Sequence, residues 1–144
     1  MTKVSVFPIN DFIHHSKTLL SLKDIKYLVI FITDDLTKYL YDFKVVHLDF
    51  LDVFRDEEGF IENRHLRILN KIPFKKFNKI YVCCDGGISR SPAIASAIDK
   101  YLGNEEDYVI KISKYKYLNY DVHNEVLDIL MKRLSKEKEN ENNK

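Results

Sequence analysis

The sequence predicts a single α/β domain with a central, mostly parallel sheet of about four to five strands flanked by helices. The chain has 144 residues, the usual size of one domain with one core. Short apolar runs alternate along it with segments of helical periodicity, the order from which parallel sheets are built. Two runs, 27–33 and 78–83, are apolar at almost every position, as in strands that a parallel sheet buries on both faces.

The first half of the chain predicts three strands that alternate with two helices. In chain order these elements are a strand at 4–7, a helix at 10–22 capped by Asn10 or Asp11, the buried strand at 27–33, a short helix around 36–43 and a strand at 44–50. Two aspartates, Asp34 and Asp35, mark the turn between the buried strand and the short helix.

The second half begins with an acidic surface loop at 51–60, in which Gly59 can act as a hinge. The elements that follow are a helix at 61–72 stopped by Pro73, the strand at 78–83, a helix at 92–102 with Gly103 just past its end, a helix at about 105–113 and a last helix at about 121–134. We expect residues 1–135 to form the folded domain and the charged segment 136–144 to be a disordered tail.

Composition and charge exclude several classes of protein. The formal net charge is +1, so nothing in the sequence calls for a nucleic acid or another polyanionic partner. The two cysteines, Cys83 and Cys84, are adjacent and cannot build a disulfide framework, and no metal-ligand spacing is present. The segment "MTKVSVFPINDF" lacks the long apolar stretch that a secretory leader would have, and no apolar run in the sequence is long enough to cross a membrane. We therefore expect a cytoplasmic protein without membrane association, metal or organic cofactor.

The segment "YVCCDGGISRSPAIASAI" carries the strongest chemical signal in the sequence. A predicted strand ends at Cys84 and a predicted helix starts near Arg90, so a short loop joins the two. Such a loop can direct its backbone N–H groups at one point beside the positive end of the helix dipole. We expect both of its glycines, Gly86 and Gly87, to provide positive φ angles and close backbone approach. The ligand that such a loop favours is a phosphate-sized dianion.

Two side chains add reactivity to this anion site. Arg90 can form a bidentate pair with two phosphate oxygens. Thiols at helix N-termini and beside cations ionise more readily than free thiols, so the same loop favours the nucleophilic thiolate of Cys84. This combination predicts nucleophilic attack on phosphorus and a phosphocysteine intermediate. The main alternative is a buried core cysteine followed by ordinary turn glycines, and the conjunction of strand, cysteine, glycines, arginine and helix favours the phosphate site.

The motif "CDGGISRS" resembles the loop of the cysteine-dependent protein tyrosine and dual-specificity phosphatases, in which Cys, any five residues and Arg precede Ser or Thr. It is especially similar to compact dual-specificity-like members from microbes and their viruses. The resemblance covers approximately residues 44–130 and implies a dual-specificity-phosphatase-like fold. It also implies that Cys84 and Arg90 are catalytic and that residues 85–90 bind phosphate, namely Asp85, Gly86, Gly87, Ile88, Ser89 and Arg90.

The resemblance further implies a general acid on a loop upstream of the cysteine. Three aspartates lie in the corresponding segment, Asp49, Asp52 and Asp56. In the family the acid follows the last residues of the strand, and this position matches Asp52. Asp56 is the second candidate because Gly59 would allow the loop to move. The acid protonates the leaving oxygen and afterwards, as a carboxylate, activates water.

Three further positions are interpreted through the resemblance. Ser91 matches the hydroxyl that assists the departure of the cysteine sulfur, and a helix cap is its structural alternative. Asn119 matches a residue that braces the loop, although capping of the last helix explains it equally well. The family usually has His before the nucleophile, where this chain has Cys83, and this departure is expected to weaken thiolate activation. We expect Cys83 itself to be a core residue.

The function that follows from the resemblance is that of a protein phosphatase. It would hydrolyse phosphotyrosine, and also phosphoserine or phosphothreonine, in phosphorylated protein substrates, and we expect a monomer. Two alternatives remain at this stage. Some relatives with this loop are RNA 5′-triphosphatases, which generally dispense with the upstream aspartate. The second alternative is a pseudophosphatase that binds phosphopeptides without turnover.

Overall fold

The centre of the molecule is a four-stranded, fully parallel sheet. The computed structural model describes residues 1–143. Within them the strands are β1 (Lys3–Pro8), β2 (Tyr27–Ile32), β3 (Val46–Leu48) and β4 (Lys79–Cys84), and their order in the sheet is β1–β4–β2–β3. The predicted parallel α/β architecture is therefore confirmed.

Helices cover both faces of this sheet. They are α1 (Ile9–Leu19), α2 (Asn63–Lys71), α3 (Arg90–Leu102), α4 (Glu105–Lys114) and α5 (Tyr120–Asn142), with short 3₁₀ turns at Leu36–Lys38 and Phe74–Lys76. Alternate residues of the central strands point to opposite faces. Phe31 and Cys83 pack with α1, whereas Ile32 and Cys84 belong to the larger core beneath α2, α3 and α5.

The register of the strands brings several loops together at one edge of the sheet. Cys84, the last residue of β4, lies opposite Pro8 of β1 and Ile32 of β2. Because parallel strands all end at the same edge, the segments that follow these three residues are neighbours. The loop between β4 and α3 is therefore flanked by the start of α1 on one side and the segment after β2 on the other.

Two predicted elements in the first half differ from the structure. Helix α1 begins at Ile9 and is preceded by Pro8 rather than capped by Asn10 or Asp11, because the chain turns into the helix directly from the extended end of β1. The helix predicted around 36–43 is a single 3₁₀ turn, since the chain is extended again at Tyr39.

The last helix is longer than predicted. It continues to Asn142, so the charged segment expected to be a disordered tail is helical through that residue, and the domain boundary predicted at residue 135 falls inside α5. Contacts beyond the predicted end explain the extension. Glu137 accepts a hydrogen bond from Arg133 Nε at 2.8 Å and another from the Tyr101 hydroxyl at 2.7 Å. Lys and Glu are also good helix formers.

A buried ion pair joins α3 to α4. Asp99 is completely buried, and its Oδ2 accepts a hydrogen bond of 2.5 Å from Lys111 Nζ. Asn104, between the two helices, donates to the second oxygen of Asp99 at 3.3 Å and to the Thr2 carbonyl at 3.0 Å. Burial raises the pKa of Asp99, and the Lys111 charge opposes this shift. The pair therefore attaches α4 and the start of the chain to α3.

Replacing Lys111 with Met should lower the free energy of unfolding by about 3 kcal/mol, because the substitution leaves a buried carboxylate unpaired. Lys114→Met is the matched control: this lysine is exposed on the same helix, and its loss should cost less than about 1 kcal/mol. Urea denaturation at neutral pH measures both. The loss of unfolding free energy in the Lys111 variant should shrink as the pH falls towards about 3.9, the ordinary pKa of an aspartate. Asp99 then becomes protonated in the unfolded chain as it is in the folded variant, so burial no longer removes a charge from water. Equal free energies of unfolding for the two variants would contradict the assignment of Asp99 and Lys111 as a buried ion pair.

Candidate active site

The loop between β4 and α3 surrounds the sulfur of Cys84. Cys84 is the last residue of β4 and is only 2% exposed. Its Sγ accepts a hydrogen bond from the Gly87 N–H at 3.2 Å and lies 3.0 Å from the Ser91 hydroxyl. The structure thus brings together the predicted nucleophile and the predicted assisting hydroxyl.

Gly87 is the glycine that this loop requires. Its φ is +68°, and a Cβ at this position would lie 2.5 Å from Pro8 N and 2.9 Å from the carbonyl carbon of Phe7. Gly86 differs from the expectation, because its φ is not positive and a Cβ there would meet nothing closer than 3.7 Å, at Ile88. The close backbone approach is therefore made by Gly87 alone, against the end of β1.

The loop leaves main-chain donors available. Within residues 1–143, the N–H groups of Gly86, Ile88 and Ser89 donate to no protein acceptor, whereas Gly87 donates to the sulfur. Free N–H groups at the start of a helix form an anion site that needs no metal.

Arg90 supplies the cation of the site from the first position of α3. Its side chain is buried, with the residue 7% exposed. One terminal nitrogen donates to the Phe50 carbonyl at 2.8 Å, and the other donates to Asp85 Oδ2 at 3.0 Å. Because a guanidinium has five N–H donors, three remain for an anion. Arg90 is therefore held in place before any ligand binds.

The carboxylate of Asp85 pairs with its neighbours. It accepts a hydrogen bond from the Tyr39 hydroxyl and lies 3.9 Å from Lys38 Nζ. Burial alone would raise the pKa of Asp85, but the hydrogen bonds from Tyr39 and Arg90 outweigh it and hold this pKa below its usual value. The ionised carboxylate of Asp85 therefore holds the loop in place. Because this side chain is negatively charged, Asp85 contributes to an anion site only through its main chain.

Asp52 is attached directly to the loop. Its Oδ1 accepts hydrogen bonds from the Ser89 hydroxyl at 2.7 Å and from Asn119 Nδ2 at 2.9 Å, while Oδ2 has no partner among residues 1–143. Asn119 also donates its own N–H to the Ser89 carbonyl at 3.1 Å and caps α5 by accepting from Val122 N–H at 3.1 Å. The bracing and capping roles considered for Asn119 therefore coexist.

The other two aspartates of the upstream segment do not contact the loop. Asp49 accepts from His65 Nε2 at 2.6 Å and pairs with Arg64 at 2.8 Å; these two partners lower the pKa of Asp49 to about 2. Asp56 is exposed, has a φ of +69° and borders a surface cleft of about 970 Å³ that none of residues 84–90 lines. Of the three candidates, only Asp52 forms a hydrogen bond with the loop that follows Cys84.

Cys83 lies on the opposite face of the sheet from Cys84. It is fully buried with Phe31 and Tyr81 beneath α1, and burial raises the pKa of its thiol. The expectation that Cys83 is a core residue is confirmed. It is oriented away from the loop and has no direct part in the chemistry there.

Sequence reasoning missed three contributors to the site, namely Lys38, Tyr39 and the Phe50 carbonyl. None belongs to a recognisable motif. The parallel pairing of the strands is what could have indicated two of them, Lys38 and Tyr39. A strand paired in parallel with β4 ends beside Cys84, so the residues that follow β2 approach the loop.

Two kinds of feature are absent from residues 1–143. No group of three or more His, Cys, Asp or Glu side chains there is arranged to hold a metal ion. In the same residues, no helix has the length and apolar character needed to span a bilayer.

Comparison with known proteins supports the fold. No family model and no curated protein sequence matches the chain. Among solved structures, it is similar to the crystal structure of PTPMT1, with a TM-score of 0.60, 16% sequence identity and coverage of 96% of this chain and 95% of that chain. The similarity shows an α/β fold of the protein tyrosine and dual-specificity phosphatase type.

Replacing Gly87 with Ala should destabilise the protein and remove anion binding. A left-handed backbone costs a non-glycine residue about 1–2 kcal/mol, and the overlap with β1 adds about 1–3 kcal/mol. Gly86→Ala is the matched control and should change stability by less than about 1 kcal/mol. Urea denaturation and titration with inorganic tungstate measure the two effects. A Gly86 variant as damaged as the Gly87 variant would contradict the geometry described for this loop.

Proposed function

We propose that the protein is a cysteine-dependent phosphomonoesterase that hydrolyses phosphotyrosine, and also phosphoserine or phosphothreonine, in protein substrates. The observation that carries this proposal is the contact between Asp52 and Ser89. It attaches a carboxyl group with one free oxygen to the loop that contains Cys84 and Arg90. A nucleophile, an anion site and an acid–base group then belong to one small site.

In the first step the Cys84 thiolate attacks phosphorus. The S–P bond forms and the bond between phosphorus and the ester oxygen breaks. Asp52, in its carboxylic acid form, transfers its proton from Oδ2 to the leaving oxygen, so a neutral phenol or alcohol departs. The free main-chain N–H groups and the remaining Arg90 donors stabilise the charge on the three equatorial oxygens.

In the second step water hydrolyses the phosphocysteine. Asp52, now a carboxylate, takes a proton from the attacking water while the new O–P bond forms and the S–P bond breaks. The sulfur leaves as a thiolate. The Ser91 hydroxyl, 3.0 Å from Sγ, and the Gly87 N–H, at 3.2 Å, donate to this thiolate and make it a better leaving group.

The position of Asp52 also favours the proposed function over its two alternatives. RNA 5′-triphosphatases with this type of loop generally dispense with an upstream acid, whereas here Ser89 and Asn119 both orient one. A pseudophosphatase needs only the binding groups. The combination of Asp52, Cys84 and Ser91 supports turnover of a monoester.

Asp52→Asn should reduce kcat by about 10²- to 10⁴-fold with phosphotyrosine peptides, because the amide cannot donate the proton that the leaving oxygen requires. The matched control is Asp56→Asn, a residue of the same loop that does not contact the catalytic segment, and it should keep wild-type activity. Release of inorganic phosphate from a phosphopeptide panel measures both. A larger loss of kcat in the Asp56 variant than in the Asp52 variant would assign the role of general acid to Asp56. An Asp52 variant with wild-type kcat would favour the triphosphatase alternative.

Cys84→Ser should abolish turnover and still bind phosphopeptides, since the loop donors and Arg90 are unchanged while the nucleophile is lost. Binding is measured by calorimetry, and turnover with an aryl phosphate. A wild-type protein that binds phosphopeptides as tightly as this variant and hydrolyses none of them would be a pseudophosphatase, and the proposed function would be wrong.

A further inference from the structure

We propose that Tyr39 is a positioning residue that orients Arg90 for anion binding through the carboxylate of Asp85. This inference rests on the proposed function in one respect only, namely that the loop after Cys84 binds a phosphate-like anion. It assigns a role to a residue outside the loop and outside every motif of the sequence.

The path of the chain after β2 delivers Tyr39 to the loop. The strands β2 and β4 end side by side at Ile32 and Cys84, so the following residues share the same edge of the sheet. Asp35 then caps the 3₁₀ turn by accepting from the Thr37 N–H at 2.9 Å and from the Thr37 hydroxyl at 2.6 Å. The chain is extended at Tyr39, the residue after the turn, and its hydroxyl reaches Asp85.

Both oxygens of the Asp85 carboxylate have partners. Oδ1 accepts a hydrogen bond from the Tyr39 hydroxyl, and Oδ2 pairs with Arg90 at 3.0 Å. Lys38 Nζ lies 3.9 Å from Oδ2 and also pairs with Asp34. With its two oxygens engaged by different side chains, the carboxylate plane cannot rotate without breaking a charge-assisted hydrogen bond.

The orientation of Asp85 determines the orientation of Arg90. The guanidinium is buried between Asp85 on one side and the Phe50 carbonyl on the other, and these two acceptors set its plane. A bidentate grip on an anion requires that plane to be correct before the ligand arrives. Loss of the Tyr39 hydroxyl would free Oδ1 and let the carboxylate and the guanidinium turn together.

The Tyr39 hydroxyl also remains a donor. Partial burial, together with the hydrogen bond to Asp85 and its negative charge, raises the pKa of Tyr39 well above its ordinary value. The phenol therefore stays protonated and donates to Asp85 throughout the neutral pH range. It offsets part of the negative charge that Asp85 brings next to an anion site.

The test compares Tyr39→Phe with the matched control Tyr41→Phe, using inorganic tungstate as the probe and calorimetry as the readout. Tyr41 lies on the same segment, packs against Phe31 and Phe43, and makes no hydrogen bond through its hydroxyl within residues 1–143. Tyr39→Phe should weaken tungstate binding about tenfold at an unchanged melting temperature, and Tyr41→Phe less than about twofold. Equal affinities of the two variants would overturn the inference.

A double-mutant cycle with Asp85→Ala shows whether Tyr39 acts through Asp85. In the Asp85→Ala background, Tyr39→Phe should change tungstate affinity less than about twofold, because the intermediary is already absent. A full tenfold loss in that background would assign Tyr39 a separate, direct role and overturn the inference. A wild-type protein that does not bind tungstate would overturn both this inference and the proposed function, whereas tungstate binding without phosphopeptide hydrolysis would overturn only the function.

Discussion

The packing of Gly87 against the end of β1 is the contact on which the candidate site depends. Its main chain lies where no side chain fits, beside Phe7 and Pro8, and its positive φ turns the loop back towards Cys84. As a result the Gly87 N–H donates to the sulfur, while the N–H groups of Gly86, Ile88 and Ser89 have no acceptor in the described part of the chain, residues 1–143. Because Pro8 is paired with Cys84 in the parallel sheet, the geometry of the loop follows from the geometry of the sheet.

Two hydrogen-bond systems connect this loop to the rest of the fold. One system joins Asp52, Ser89 and Asn119, and so holds the segment 51–60, the loop between β4 and α3 and the start of α5 together. The other system runs through Asp85 and Arg90 to the segment after β2. Asp85 and Arg90 largely cancel in charge, so the main-chain amides supply much of the attraction for an anion. The site therefore attracts an anion through the arrangement of its N–H donors more than through an excess of positive charge.

The contiguous part of the site could be predicted from sequence, and the long-range part could not. Cys84, Arg90 and Ser91 lie within one strand–loop–helix unit, whose local order determines their placement. Among three aspartates the resemblance favoured Asp52 over Asp56, but the residues alone could not place Asp52 beside the loop, because its contacts are with residues 89 and 119, far along the chain. Tyr39 carried no local signal at all. The two glycines look equivalent in sequence, and only the neighbouring strand distinguishes them.

A crystal structure of the protein with vanadate tests the central claim most directly. We expect a five-coordinate vanadium bonded to the Cys84 sulfur, with equatorial oxygens on the loop N–H groups and on Arg90, and with Asp52 Oδ2 next to the apical oxygen. Vanadate bound elsewhere, with the loop empty and Arg90 still occupied only by Asp85 and the Phe50 carbonyl, would contradict it.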